Sequence, residues 1–312
     1  MPPLKLKLKY WSWRTGLVLK RGLDRVLRGT IRPLIGLLRR LDRISASDKA
    51  GAVMRHIGPR LREHQIGRAN LKAAFPDKSD AEVDKILAGV WDNLGRVAVE
   101  VINLDRIAAQ GARGERQFIT YGERELKRFE ALRDADKPAV IFTAHLANWE
   151  LPAVVAGIEG LRSMALFRRP NLSSIADVLI EMREPLMGTL VPSGFGAPMR
   201  LARGLETGHH VGMLVDQHDS KGVEVTFFGR RCRVSPLIAM LAREYESPIH
   251  GVRIIRLPEG RFTGEITDAV TPVRDADGRI DVQGTMQAIT DVVETWVRDH
   301  PEQWLWLHRR WR

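Results

Sequence analysis

Short apolar runs alternating with helical segments fill the second half of this 312-residue chain, and that alternation restricts its fold more than any other feature. Residues 139–144, 164–167 and 211–215 read as buried strands, with helix-like stretches at 174–187 and 199–207 between them. Further strands are expected at 223–228, 249–257 and 262–270, and helices at 236–245 and 282–299. Strand–helix–strand units build a parallel sheet with helices on its faces, and the later strands make that sheet mixed. Upstream, Ser79 and Glu82 have capping-box spacing, and Val83, Ile86, Leu87, Val90, Trp91 and Leu94 follow at helical intervals, so a long core helix is expected there. The expected fold class is α/β: a mixed, largely parallel central sheet flanked by helices over residues 44–312, behind a separate segment at 1–43.

That first segment carries a dozen Lys and Arg against Asp24 and Asp42 alone. Its apolar positions, Leu19, Leu23, Val26, Leu27, Ile31, Leu34, Leu38 and Leu41, recur at helical spacing with cations between them, and Trp11 and Trp13 precede them. A basic amphipathic helix with aromatic residues at one end suits an anionic membrane surface. A helix packed on its own domain would look much the same, and a nucleic-acid arm is a weaker third reading because no base-reading motif accompanies it. Pro33 is expected to kink or split the helix. No stretch offers the roughly 18 apolar residues of a membrane span, so the chain is expected to lie on a membrane rather than cross it. A net charge of +11 calls for an anionic partner: nucleic acid, a bilayer or an acidic carrier protein. The single cysteine, Cys232, excludes an internal disulfide, and no signal peptide is recognised, which points to a reducing, cytoplasmic setting.

The chemistry is expected where the apolar run Val140-Ile-Phe-Thr-Ala ends in His145, with Glu150 five residues on. Ligands bind beyond the carboxyl ends of strands in open α/β sheets. Residues five apart on one regular helix diverge, so a His145–Glu150 hydrogen bond needs the histidine on the preceding turn and the glutamate in the helix's first turns. A carboxylate behind an imidazole fixes its tautomer and steadies the imidazolium, which makes a general base. His209, His210, Asp216, His218 and Asp219 match no common zinc spacing, and no metal is expected. Nucleophile elbow, phosphate loop and dinucleotide fingerprint are all missing, so no cofactor is expected. Cys232 sits among Arg230, Arg231 and Arg233, a cluster that suits anionic headgroups or a carrier protein, and equally a solvated loop.

The block His145-Leu-Ala-Asn-Trp-Glu150 resembles the HxxxxE block of the lipid A late acyltransferases, the lauroyl/myristoyl transferases of the lysophospholipid-acyltransferase-like superfamily. Further ordered blocks are similar as well: Gly67-Arg-Ala-Asn70 with Phe75-Pro76, Arg168-Arg169-Pro170-Asn171, Asp216-Gln217 with Phe227-Phe228-Gly229, Pro236, and the closing run from Pro301 to Trp311. Ala147 stands where glycine is common, and a charged amphipathic segment replaces the usual N-terminal transmembrane helix. The resemblance implies a glycerol-3-phosphate acyltransferase-like fold, acyl carrier protein as donor and a lipid A precursor as acceptor, at the cytoplasmic face of the inner membrane. It implies catalysis by His145 and Glu150, and substrate contacts from Arg169, Asn171, Asp216 and Gln217, with Arg230 and Arg231 beside them. The rival readings are another glycolipid or lysophospholipid acyltransferase of that superfamily, and a non-catalytic protein binding anionic membrane or nucleic acid.

Overall fold

A computed structural model describes residues 24, 26, 29–111, 119–170 and 173–311 of the chain. Seven strands form one sheet in the order β1-β9-β8-β2-β5-β3-β4. Its centre is β2 (Val140–Thr143), flanked by β5 (His210–Leu214) and β8 (Ile249–Arg256), both parallel to it. β3 (Ser163–Phe167) lies parallel to β5, and β4 (Thr189–Pro192) parallel to β3. Only β9 (Phe262–Ile266) reverses against β8, and β1 (Ile119–Tyr121) follows β9 in parallel. The sheet is therefore mixed and largely parallel, as the alternation of runs implies.

Each crossover is a short helix: α7 (Leu151–Ile158) between β2 and β3, α8 (Ser173–Arg183) before β4, and α9 (Ala197–Glu206) before β5. A hairpin of β6 (Val223–Phe227) and β7 (Arg230–Val234) leads to α10 (Leu237–Tyr245), and α11 (Val282–Asp299) follows β9. In front of the sheet stand a helix over residues 29–38 (α1), α2 (Arg43–Ile57), α3 (Arg62–Ala74), α4 (Asp80–Val101), α5 (Leu104–Gly111) and, after β1, α6 (Glu123–Arg133). The long core helix is α4, opened by the Ser79–Glu82 capping box read from the sequence.

Three short strands lie where no strand was expected. β1 and β4 are three and four residues long, too short for a period to register. β7 runs through the arginine cluster, alternating exposed Arg230, Arg231 and Arg233 with buried Cys232 and Val234, so it is a paired strand and not a solvated loop. Helix α1 continues through Pro33 without the expected split. Residues 1–23, which include Trp11, Trp13, Leu19 and Leu23, lie outside the described residues, as does Leu27.

The two faces of the sheet are filled differently, and this positions the site. On one face Val140 and Phe142 are fully buried, and the Phe142 ring stacks on Trp296 of α11 with centroids 5.4 Å apart. A β-carbon on Gly251 would come within 2.6 Å of Phe142 and 2.8 Å of Trp296, so the glycine lets those rings close on the sheet. On the other face, Ile141 and Thr143 are only half-buried because they look into a hollow beneath α7.

Candidate active site

The hollow is a cavity of about 480 Å³ between the sheet and α7, lined largely by apolar side chains such as Ile141, Val155, Met164, Leu166 and Leu214. It extends to Tyr121, Phe129 and Leu132 of β1 and α6. His145, Gln217, His218, Asp219 and Arg168 line it where the parallel strands end. A narrow apolar space with polar groups gathered at one end suits a long hydrocarbon chain whose reactive group stays at the polar end.

Sheet register brings the polar groups together. Thr143 and Leu214 are the last paired residues of β2 and β5, so His145 and Asp216, each two steps further on, face one another across the strand ends. The His145 ring Nδ1 and Asp216 Oδ1 are 2.8 Å apart. Asp216 Oδ2 accepts from the His145 backbone N–H and from the Trp304 indole, each at 2.8 Å. Asp216 is 4% exposed and His145 9%. Burial alone would raise the Asp216 carboxyl, but attraction to the facing His145 imidazole, the hydrogen bonds from its ring and backbone, and the indole hold it well below the ordinary carboxylate range. An ionised Asp216 accepts a proton-bearing Nδ1–H, which leaves Nε2 with a free lone pair. Gln217 Nε2 lies 3.2 Å from that Nε2 and can donate to it.

The carboxylate behind His145 is thus Asp216, and the hydrogen bond expected from Glu150 is not formed. Glu150 immediately precedes α7 on the cavity wall, where it pairs with Arg183 at the end of α8; both side chains are largely buried. The reason is topological. β5 inserts between β2 and β3, so the end of a strand some seventy residues away reaches the imidazole more directly than a residue one turn down the chain.

The other expected site residues are dispersed. Arg169 is exposed and donates to Asp177 at 2.7 Å, while its neighbour Arg168 faces the cavity. Asn171 lies outside the described residues. Arg230 and Arg231 belong to the β6–β7 hairpin, not to the cavity wall: the Arg230 guanidinium lies 4.9 Å from the Trp311 ring and Arg231 is 3.5 Å from Glu224. Cys232, the next residue of β7, is buried, and burial raises its thiol instead of activating it.

Sequence reasoning missed three side chains. Arg183 lay inside an amphipathic helix, and Trp304 and His308 in a tail read only as a block. The His308 ring packs edge-on to His145 with centroids 5.7 Å apart, and burial followed by the His145 charge pushes its imidazole below the usual range.

The turn carrying His145 is held from behind. Leu305 N–H donates to His145 O at 3.1 Å, Ala147 N–H to Gln303 O at 3.0 Å, and Asn93 to Ala147 O at 3.0 Å. Ala147 has φ +44°, a left-handed conformation that a β-carbon disfavours, which explains glycine as the common residue there. Relief of roughly 1–2 kcal/mol of backbone strain is offset by losing a buried methyl worth about 0.8 kcal/mol. Ala147→Gly is therefore expected to change the free energy of urea unfolding by no more than about 1 kcal/mol.

Among the described residues no helix is long and apolar enough to cross a membrane. A family model described as bacterial lipid A biosynthesis acyltransferase matches residues 34–312. A search of curated proteins finds no match.

Proposed function

We propose, from the premise that this chain belongs to the bacterial lipid A biosynthesis acyltransferase family, that it moves a fatty acyl group from acyl carrier protein to the hydroxyl of a 3-hydroxyacyl chain on a lipid A precursor. The observation that carries the reading is an imidazole backed by a buried carboxylate at the polar end of an apolar cavity. The acyl chain of the donor lies in the cavity, with its thioester carbonyl beside His145.

The acceptor hydroxyl displaces the Gln217 amide from His145 Nε2 and gives up its proton there as its oxygen attacks the thioester carbon. Asp216 holds the ring by Nδ1 and stabilises the imidazolium as it forms. Collapse of the tetrahedral oxyanion breaks the carbon–sulfur bond, and the imidazolium returns its proton to the departing thiolate. The products are an ester and a free carrier thiol, with no acyl-enzyme intermediate. Arg168 on the cavity wall and Arg169 beside it offer charge to an acceptor phosphate. Glu150 acts through Arg183, holding that guanidinium on the cavity wall.

The chain's net charge of +11 suits both an acidic carrier and an anionic bilayer. Leu34 and Leu37 of α1, Leu41 in the bend after it and Ile44 at the start of α2 are exposed, as is Val26 ahead of α1, which suits an interfacial segment at the cytoplasmic face of the inner membrane. The test is acyl transfer by the purified full chain, with acyl-carrier and acyl-coenzyme A donors offered in turn, read by mass spectrometry. An added ester on the acylated glucosamine disaccharide is expected. Acylation of glycerol phosphate lipids alone would reassign the acceptor, and transfer to neither would overturn the reading.

A further inference from the structure

We propose that the loop between β4 and α9, together with the first turn of α9, is a second membrane contact, one that inserts Phe195 of the loop and Met199 of the helix into an anionic bilayer at the mouth of the cavity. The proposal rests on the lipid-acceptor reading above, and three features of the loop support it.

Phe195 stands fully clear of the protein, at 105% of its reference exposure, and Met199, four residues on, is 77% exposed. Gly194 and Gly196 flank the phenylalanine, and a β-carbon at either would meet nothing within 4 Å, so the tip projects into open space. An aromatic ring held so far from any apolar neighbour gains nothing from the fold.

The loop also lies at the cavity's rim. Phe167 pairs with Pro192 in the last register position of β3 and β4, and Ser193 N–H donates to Phe167 O at 2.8 Å. Ser193 and Arg168, the next residues on those two strands, both line the cavity. Phe195 is two residues beyond Ser193. Asp24, ahead of α1, reaches the same edge, accepting from Ser174 N–H at 2.9 Å where α8 begins.

Finally, the stretches of chain that flank the tip carry cations and no acid. The chain has no acid between Glu159 and Asp177 or between Glu184 and Glu206, and Arg168, Arg169, Arg200 and Arg203 occupy those stretches. Arg169 pairs with Asp177 and Arg203 approaches Glu206 at 3.9 Å, while Arg168 and Arg200 are exposed with no ion pair among the described residues. Apolar tips amid cations are the pattern of an interfacial contact. Two side chains, one on the loop and one in the first turn of α9, fall far short of the roughly 1,000 Å² that a stable protein interface buries, which favours a bilayer over a protein partner. An acceptor delivered from a bilayer touching this rim need not drag its acyl chains through water.

Because Cys232 is buried, Phe195→Cys places an accessible thiol at the tip for an environment-sensitive dye, with Ala135→Cys, in the exposed turn ahead of β2 at the opposite ends of the strands, as control. On phosphatidylcholine–phosphatidylglycerol vesicles the dye at 195 is expected to shift to the blue and become shielded from a water-soluble quencher, while the dye at 135 does neither. Phe195→Ser with Met199→Ser is expected to weaken vesicle binding about tenfold without changing thermal stability. A dye at 195 that stays quenchable on vesicle-bound protein overturns the proposal. So does a shift produced by acyl carrier protein alone without vesicles, which would make the loop a carrier-docking surface. Insertion is read without turnover, so an inserted loop on a protein that transfers no acyl group would overturn the assigned reaction and leave the membrane contact standing.

Discussion

Asp216→Asn is expected to slow acyl transfer by about 10²–10⁴-fold, the range over which a positioned base acts, and His145→Ala to slow it at least as much. The carboxylate accepts three hydrogen bonds, from the His145 ring, the His145 backbone and the Trp304 indole, and donates none. An asparagine must turn its NH₂ toward one of those donors, so either the ring or the turn beneath it loses its partner. The ring nitrogen-15 shifts of His145 test the difference: they are expected to place the proton on Nδ1 in the native protein, and to show that preference lost in Asp216→Asn. Glu150→Gln leaves the tautomer unchanged, because its partner is Arg183. Near-native turnover by Asp216→Asn would place the functional carboxylate elsewhere. The folded Asp216 carboxyl lies below its unfolded value, so its contribution to stability is complete above the ordinary carboxylate range and is lost only as pH falls through the lower folded value. Its removal is therefore felt at neutral pH, and thermal melts must accompany the kinetics.

Glu100→Ala is expected to cost about 3–5 kcal/mol of stability, the scale for leaving one half of a buried ion pair alone. Glu100 is 1% exposed inside the fold, where it pairs with Arg256 of β8 and accepts from Asn148 at 2.9 Å. Arg256 in turn donates to Asn93 at 2.8 Å, and Asn93 to Ala147 O, so one carboxylate ties α4, β8 and the His145 turn together. Without it the guanidinium remains buried and unpaired by that acid. Replacing both members by apolar residues, Glu100→Leu with Arg256→Met, is expected to recover much of the loss in urea unfolding while kcat stays depressed, because the turn has lost Asn148's anchor. If the double variant restores turnover as well as stability, the network serves the fold alone.

The layered architecture, and the position of His145 at the exit of a buried strand, are written in the local sequence pattern. The periods of its apolar residues separate strands from helices without reference to anything distant, which is why β2, β3, β5, α4 and α11 were legible. A polar residue ending a buried strand of a parallel sheet emerges at the ligand edge whatever its neighbours are, so His145 was legible too. Strands of three or four residues, β1 and β4, carry too few positions to show a period. Which carboxylate meets the imidazole was decided by the tertiary structure alone. Glu150 is near His145 along the chain, but α7 turns it toward Arg183, while the order of strands in the sheet sets β5 beside β2 and Asp216 against the ring. The hollow beneath α7 and the projection of Phe195 are likewise properties of packing. Local patterns report each residue's own backbone and face, whereas pairing between strand ends depends on which strands lie side by side.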